Sequence, residues 1–219
     1  PHLSWHARLL PYIEQPQLWD MTMRAFDADR HFGNVPPHGH QKEVVKLFIC
    51  PTDPRVSEPA AFRERPPAAL SSYLGIGGRN YSTNDGVLYS DSKVRLGDVL
   101  DGTSSTLMLG ERPPSTDLRL GWWYAGIGQN NLGSTDMFMG VHEYNVHPRY
   151  PNCWQGPYLF GPGSFDNPCD AFHFWSPHSG GAHFAFADGS VRRLRYSASA
   201  ILTSLSTRAG GETINSFDH

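Results

Sequence analysis

Apolar residues recur at helical spacing near the start of the chain. Trp5 opens a run of apolar residues placed four positions apart, and Ser4 just before it is a residue type that caps helix N-termini. Pro11 interrupts the run, because proline lacks the amide hydrogen that a helix interior needs. Pro16 suits the first position of a new helix. The pattern therefore predicts two short helical segments within residues 4–26.

The last third of the chain alternates as a β-hairpin does. Phe184 and Phe186 fall on one face of the first strand, and a second strand covers residues 190–195. Asp188-Gly189 lies between them and is typical of a tight type I′ turn. A short amphipathic helix is predicted after the hairpin.

Between these ends, short apolar runs that stop at proline or glycine predict further strands. They cover residues 44–49, 71–76 and 106–109. Residues 112–170 are irregular and rich in Trp, Tyr, Gly, Pro and Asn, which predicts a loop-rich insertion. We expect residues 1–219 to form a single α+β domain, with N-terminal helical segments packed on a mainly antiparallel β-sheet.

Composition narrows the function classes. The chain has 219 residues, of which 39% are hydrophobic, so a substantial core is expected. The formal charge of −3 gives no electrostatic basis for binding nucleic acid. No run of about 18 apolar residues spans a bilayer within this sequence.

Three cysteines are present, and two of them flank one Gly/Pro-rich loop. We expect a disulfide between Cys153 and Cys169, which would favour an oxidising, extracytoplasmic compartment. The alternative is three reduced, buried thiols.

Histidines and loop carboxylates raise the question of a metal. Five histidines are candidate zinc ligands: His142, His147, His173, His178 and His183. None of these five belongs to an HExxH, HxH or CxxC pattern, so turn and surface positions are favoured over a zinc site, and a metal-dependent hydrolase ranks as the third function.

Calcium is the better-supported ion, because Asp166, Asn167 and Asp170 lie in one loop and oxygen-rich loops suit it. The competing interpretation is an Asx-turn loop held by Cys169. No other cofactor is expected.

Aromatic residues cluster in the region of residues 112–170. Trp122, Trp123, Trp154 and Tyr158 are candidates for a surface that binds a glycan or a protein. The competing interpretation places them in the core of a loop-rich fold.

Four segments in order resemble a bacterial family, the prepilin-type (pseudopilin-like) proteins of the planctomycete type. Nine residues separate His178 from Asp188-Gly189, which matches that family's His-x9-Asp-Gly signature. The other three segments lie at residues 4–15, at 48–54 (Phe-Ile-Cys-Pro-Thr-Asp-Pro) and at 98–106 (Asp-Val-Leu-Asp-Gly-Thr-Ser-Ser-Thr) with Gly110-Glu111.

The content of the signature is structural. Asp188-Gly189 is expected to make the turn, Gly180 and Gly181 to allow close backbone approach, and His178 to cap or hydrogen-bond the hairpin loop.

The resemblance implies a cleavable prepilin leader and a long apolar helix that anchors in the inner membrane and packs into a filament; neither is within this sequence. It thus implies an extracytoplasmic head of a type II secretion or type IV pilus-like subunit, whose partners are other pilin-like subunits or secretion machinery. We expect the protein to have no enzymatic activity. The alternative is an extracytoplasmic glycan- or protein-binding module.

Overall fold

The computed structural model describes residues 3–212, which form three α-helices and seven β-strands. The helices are α1 (Trp5–Leu9), α2 (Pro16–Ala28) and α3 (Ser199–Ser206). The strands are β1 (Tyr73–Gly78), β2 (Leu107–Glu111), β3 (Phe138–Gly140), β4 (His142–Glu143), β5 (Tyr158–Leu159), β6 (Gly181–Phe186) and β7 (Val191–Arg195). This composition confirms the α+β class.

The N-terminal helices begin where the sequence predicts, at Trp5 and Pro16, and α2 extends two residues past the predicted range, to Ala28. The hydroxyl of Ser4 accepts a hydrogen bond from the amide of Ala7 at 3.1 Å, which caps α1. The same hydroxyl donates to the carbonyl of Trp123, which ties the helix to a distant segment. Pro11 lies in a single 3-10 turn that separates α1 from α2. The predicted break at Pro11 is confirmed.

Five strands form the main sheet in the order β3-β1-β2-β6-β7. Three of its pairs are antiparallel, while β3 runs parallel to β1. Strands β4 and β5 pair separately as a small ribbon. Because β3 lies at one edge of the main sheet, residues 112–170 are more than a peripheral insertion.

Two large apolar clusters hold the fold together. One lies on the sheet face that carries Phe184 and Phe186, where α3 packs through Leu202 and Leu205. The other joins α1 and α2 to the segment around Trp123. Side chains alternate between the faces of a strand. The face opposite Phe184 therefore carries His183 and its neighbours.

One predicted strand is wrong. Residues 44–49 form a 3-10 turn (Lys46–Phe48) instead of a strand. Phe48 packs into the N-terminal cluster, and its carbonyl accepts a single bond from the amide of Ser72 at 2.8 Å. No regular ladder forms here, because the segment docks onto the start of β1 by isolated hydrogen bonds.

The hairpin of β6 and β7 is confirmed, but its turn type differs from the prediction. Of the two turn residues only Gly189 has a positive φ, of +85°, whereas a type I′ turn needs two. The Gly189 amide donates to the carbonyl of Phe186 at 3.0 Å, and the Ser190 amide donates to the Asp188 carboxylate at 2.8 Å. The connection is a type I-like turn that ends in a left-handed glycine.

The two glycines of the signature act differently. Gly180 has a φ of +82°, which favours glycine. At Gly181, a Cβ atom would clash with the carbonyl oxygen of Leu194 on the neighbouring strand. Close backbone approach is therefore required at Gly181.

We expect Gly181→Ala to lower the free energy of unfolding by about 2 kcal/mol or more, because strand β7 must move away from β6. Gly97→Ala is the control, since a Cβ atom there meets no atom within 4 Å. Denaturant titration of both variants checks this. Equal stability of the two variants would contradict the close packing of β6 against β7.

A carboxyl group, Glu143, is buried in the β4–β5 ribbon. It accepts hydrogen bonds from the backbone amides of Tyr81, Tyr144 and Gly140 at 3.1, 2.9 and 2.8 Å. Burial raises the pKa of Glu143 from 4.5 to about 7, against the opposing effect of these amides. The folded protein therefore binds this proton more tightly than the unfolded chain does.

Because its pKa is raised on folding, Glu143 contributes most to the free energy of unfolding below about pH 4.5, where it is protonated in both states. This contribution is lost as the pH rises to about 7. The stability of the wild type relative to Glu143→Gln should consequently fall by about 3 kcal/mol over that interval. Urea titrations of both proteins at several pH values measure this difference. A difference independent of pH would show that the pKa of Glu143 is ordinary.

Candidate functional site

Three side chains from distant parts of the sequence converge at one end of the sheet. Cys50 follows the 3-10 turn, Glu111 ends β2, and His178 precedes β6. The Cys50 sulfur lies 3.6 Å from His178 Nε2, and Glu111 Oε1 lies 4.0 Å from the same nitrogen. One ligand-capable atom from each of the three lies within 4.8 Å of the other two.

Glu111 is held in place by the neighbouring strand. The backbone amide of His183 donates to Glu111 Oε2 at 2.8 Å. The Nδ1 atom of His183 lies 3.3 Å from both carboxylate oxygens. Glu111 is almost fully buried, so these contacts offset part of the cost of removing its charge from water. Its Oε1 atom lies between His183 Nδ1, at 3.3 Å, and His178 Nε2, at 4.0 Å.

Cys50 is buried and oriented by its own loop. Its amide donates to the Ser72 hydroxyl at 2.9 Å, and its sulfur lies 2.9 Å from the Thr52 hydroxyl. His178 is the accessible member of the three, with a side chain that is 36% exposed. Solvent therefore reaches the cluster from the side of His178.

The cluster lies in a mainly apolar groove of about 510 Å³ on the sheet face opposite α3. Apolar lining residues include Trp5, Leu9, Leu109, Ala185 and Val191. Trp5 stacks on His6, with ring centroids 3.6 Å apart. Burial lowers the pKa of His6 to about 3, although its bond to the Tyr73 carbonyl opposes the shift, so the imidazole that packs on Trp5 is uncharged at neutral pH.

Cys50, His178 and Glu111 are not arranged as a catalytic Cys-His-acid triad. In a Cys-His-acid relay the acid binds the ring nitrogen opposite the one that faces sulfur. Here Cys50 and Glu111 both face Nε2 of His178. The three ligand-capable atoms lie within 4.8 Å of one another, which is a spacing that could hold a shared ion.

The candidate zinc histidines are only partly brought together. His178 and His183 lie near each other, with ring centroids 5.9 Å apart. His173 instead bonds to Asp170 at 3.0 Å, and the ring of His147 packs edge-to-face against Tyr150. Nε2 of His178 faces the Cys50 sulfur, and the predicted capping or hydrogen bonding of the hairpin loop by His178 stays a prediction.

Sequence reasoning missed Cys50 and Glu111 as partners of His178. Both lie in segments that carry the family resemblance, one in Phe-Ile-Cys-Pro-Thr-Asp-Pro and one in Gly-Glu. The signal was thus present in the motifs, but their convergence depends on the pairing of distant strands.

The predicted aromatic binding surface is largely wrong. Trp122, Trp123 and Tyr158 are buried, and only Trp154 is exposed, at 60%. The indole of Trp123 donates to the carbonyl of Glu43 at 2.8 Å. These rings close the core of a loop-rich region, because few regular elements are available there to cover it.

The candidate calcium residues bond to one another and to their own loop. The Asn167 side chain caps the amide of Cys169 at 3.1 Å and donates to Asp170 at 2.8 Å. The second oxygen of Asp170 accepts from the amide of Ser164 at 2.7 Å, while Asp166 is exposed. This arrangement favours the Asx-turn interpretation, and the calcium site stays a prediction.

The Cys153–Cys169 disulfide is present, and Cys50 is a free thiol. The bond joins residues 16 positions apart and borders a small cluster that contains Phe172 and Tyr150. It therefore fixes an irregular region that has little secondary structure of its own.

Replacing both Cys153 and Cys169 by Ala should lower the free energy of unfolding by about 3 kcal/mol, because the unfolded chain regains the entropy of an open loop. Denaturant titration gives the difference. Reduced wild-type protein is the control and should match the variant. A variant as stable as oxidised wild type would contradict a stabilising bond.

Comparisons with known proteins give one match. A family model described as "Protein of unknown function (DUF1559)" matches residues 1–199. No curated protein and no solved structure matches the chain. Among residues 3–212, no helix has both the length and the apolar character needed to cross a bilayer. The match extends over nearly the whole chain, including all three residues of the cluster, and the chain belongs to this family of unknown function, DUF1559.

Proposed function

We propose that the chain is the globular head of a prepilin-type, pseudopilin-like subunit in a type II secretion or type IV pilus-like assembly, with a structural role and no catalytic one. Its partners would be other subunits of the same kind or the secretion machinery. The membrane would be reached through an apolar helix that precedes residue 1 in the full-length protein, as the family resemblance implies.

The observation that carries this proposal is the open face of the sheet. One face is buried beneath α3, whereas the other carries the apolar groove. Val191 on β7 is 66% exposed there, and Leu9 of α1 is 37% exposed. These apolar side chains border the polar group of Glu111 and His183, and an exposed apolar groove with a polar rim favours a covering partner. An apolar helix lying along the groove would be such a partner.

The disulfide supports an extracytoplasmic position for the head. Disulfides persist mainly in oxidising compartments. Cys153 and Cys169 are paired in a region with few regular elements, where the bond contributes most to order. A head that faces the periplasm or the cell surface is consistent with this pairing.

The proposal predicts processing and assembly of the full-length protein. Produced from its complete reading frame in a bacterium with a prepilin peptidase, it should lose a short leader only when that peptidase is active. The mature subunit should then appear in material sheared from the cell surface. Immunoblotting of whole-cell and sheared fractions measures both results. A reading frame without a leader and apolar helix upstream of Pro1 would contradict the proposal.

A matched pair of variants tests the groove within the same experiment. Val191→Glu places a charge on the open sheet face and should reduce recovery in the sheared fraction several-fold. Val146→Glu is the control, because Val146 is also exposed, at 41%, and does not line the groove. Equal recovery of the two variants would show that the open face is not an assembly surface.

A further inference from the structure

We propose that Cys50, Glu111 and His178 form a binding site for a single zinc-class transition-metal ion at the end of the groove. Among residues 3–212, these three side chains form the one group of three or more His, Cys, Asp or Glu residues whose ligand atoms lie close enough together to hold a metal ion. The site is independent of the proposed assembly role, since it requires only the folded head.

The distance between Cys50 and His178 fits two ligands of one tetrahedral ion. Zinc binds sulfur at about 2.3 Å and histidine nitrogen at about 2.0 Å, which places two such ligands about 3.5 Å apart. The Cys50 sulfur and His178 Nε2 are 3.6 Å apart. Two ligands about 2.0 Å from a tetrahedral ion are about 3.3 Å apart. Glu111 Oε1 lies 4.0 Å from His178 Nε2, and all three ligand atoms lie within 4.8 Å of one another, so the carboxylate must move inward by about 0.7 Å when an ion binds.

The donor set selects the class of ion. Sulfur, imidazole nitrogen and a carboxylate oxygen together suit Zn²⁺ and its neighbours Co²⁺ and Ni²⁺. Calcium and magnesium prefer oxygen ligands alone. Binding requires the Cys50 thiolate, so the thiol proton is released to water when the ion enters.

Contacts around the ligands already match the needs of a metal site. His183 holds Glu111 Oε2 through its backbone amide, and Oε1 lies 3.3 Å from His183 Nδ1 and 4.0 Å from His178 Nε2. Ligands fixed in this way lose little freedom when an ion binds. With three protein ligands, a fourth position remains on the solvent side, where water completes the shell.

An ion at this site would bind three separate parts of the fold. Cys50 belongs to the segment after the 3-10 turn, Glu111 to the central strand, and His178 to the loop before β6. An ion shared by all three would link the N-terminal layer to the sheet across the groove. Metal binding should therefore raise the unfolding temperature of the head.

The test is titration of the purified, disulfide-intact protein with Zn²⁺ and with Co²⁺. We expect one equivalent of Zn²⁺ to bind in competition with a chromophoric chelator. The Co²⁺ complex should show the near-ultraviolet charge-transfer absorption of a thiolate ligand. Cys50→Ser should abolish that absorption, and His178→Ala should weaken Zn²⁺ binding at least tenfold.

His31→Ala is the control variant, because His31 is exposed and does not belong to the cluster. Circular dichroism verifies that each variant is folded. Because His178 is partly exposed, His178→Ala disturbs the core less than a substitution of Cys50 or Glu111 would. Absence of stoichiometric binding to the wild type would overturn the proposal. So would Zn²⁺ affinity that is the same for His178→Ala and His31→Ala, or a Co²⁺ spectrum without a thiolate band.

Discussion

The structure depends on the packing of the central strand β2 between β1 and β6. Gly110 pairs with Leu74 on one side and with Phe184 on the other. A Cβ atom at Gly110 would lie 2.7 Å from the rings of Phe174 and Phe184, so glycine is needed for these rings to rest on the strand. The register that buries them directs the next residue, Glu111, to the opposite face.

This register explains why distant segments meet. Because Glu111 follows Gly110 on a central strand, it lies between Tyr73 at the start of β1 and His183 on β6. The turn that bears Cys50 docks onto the start of β1, and the loop that bears His178 leads into β6. The same strand thus separates a closed apolar core beneath α3 from the open groove, where both the proposed assembly surface and the proposed metal site lie.

Local features of the fold could be predicted from the sequence, and non-local ones could not. The Ser4 cap, the break at Pro11 and the β6–β7 hairpin follow from residue types within a few positions of each other. The parallel edge strand β3 and the burial of Trp122 depend on segments far apart in the chain. For the same reason the three ligand residues were visible as separate motifs, but their convergence was not.

The most direct measurement of this convergence is anomalous diffraction at the zinc absorption edge from crystals of the head grown with Zn²⁺. Our interpretation predicts one strong peak bounded by the Cys50 sulfur, Glu111 Oε1 and His178 Nε2, at the solvent-accessible end of the groove. A map without a peak at that position, or with the three side chains turned away from one another, would contradict a shared site built by β2.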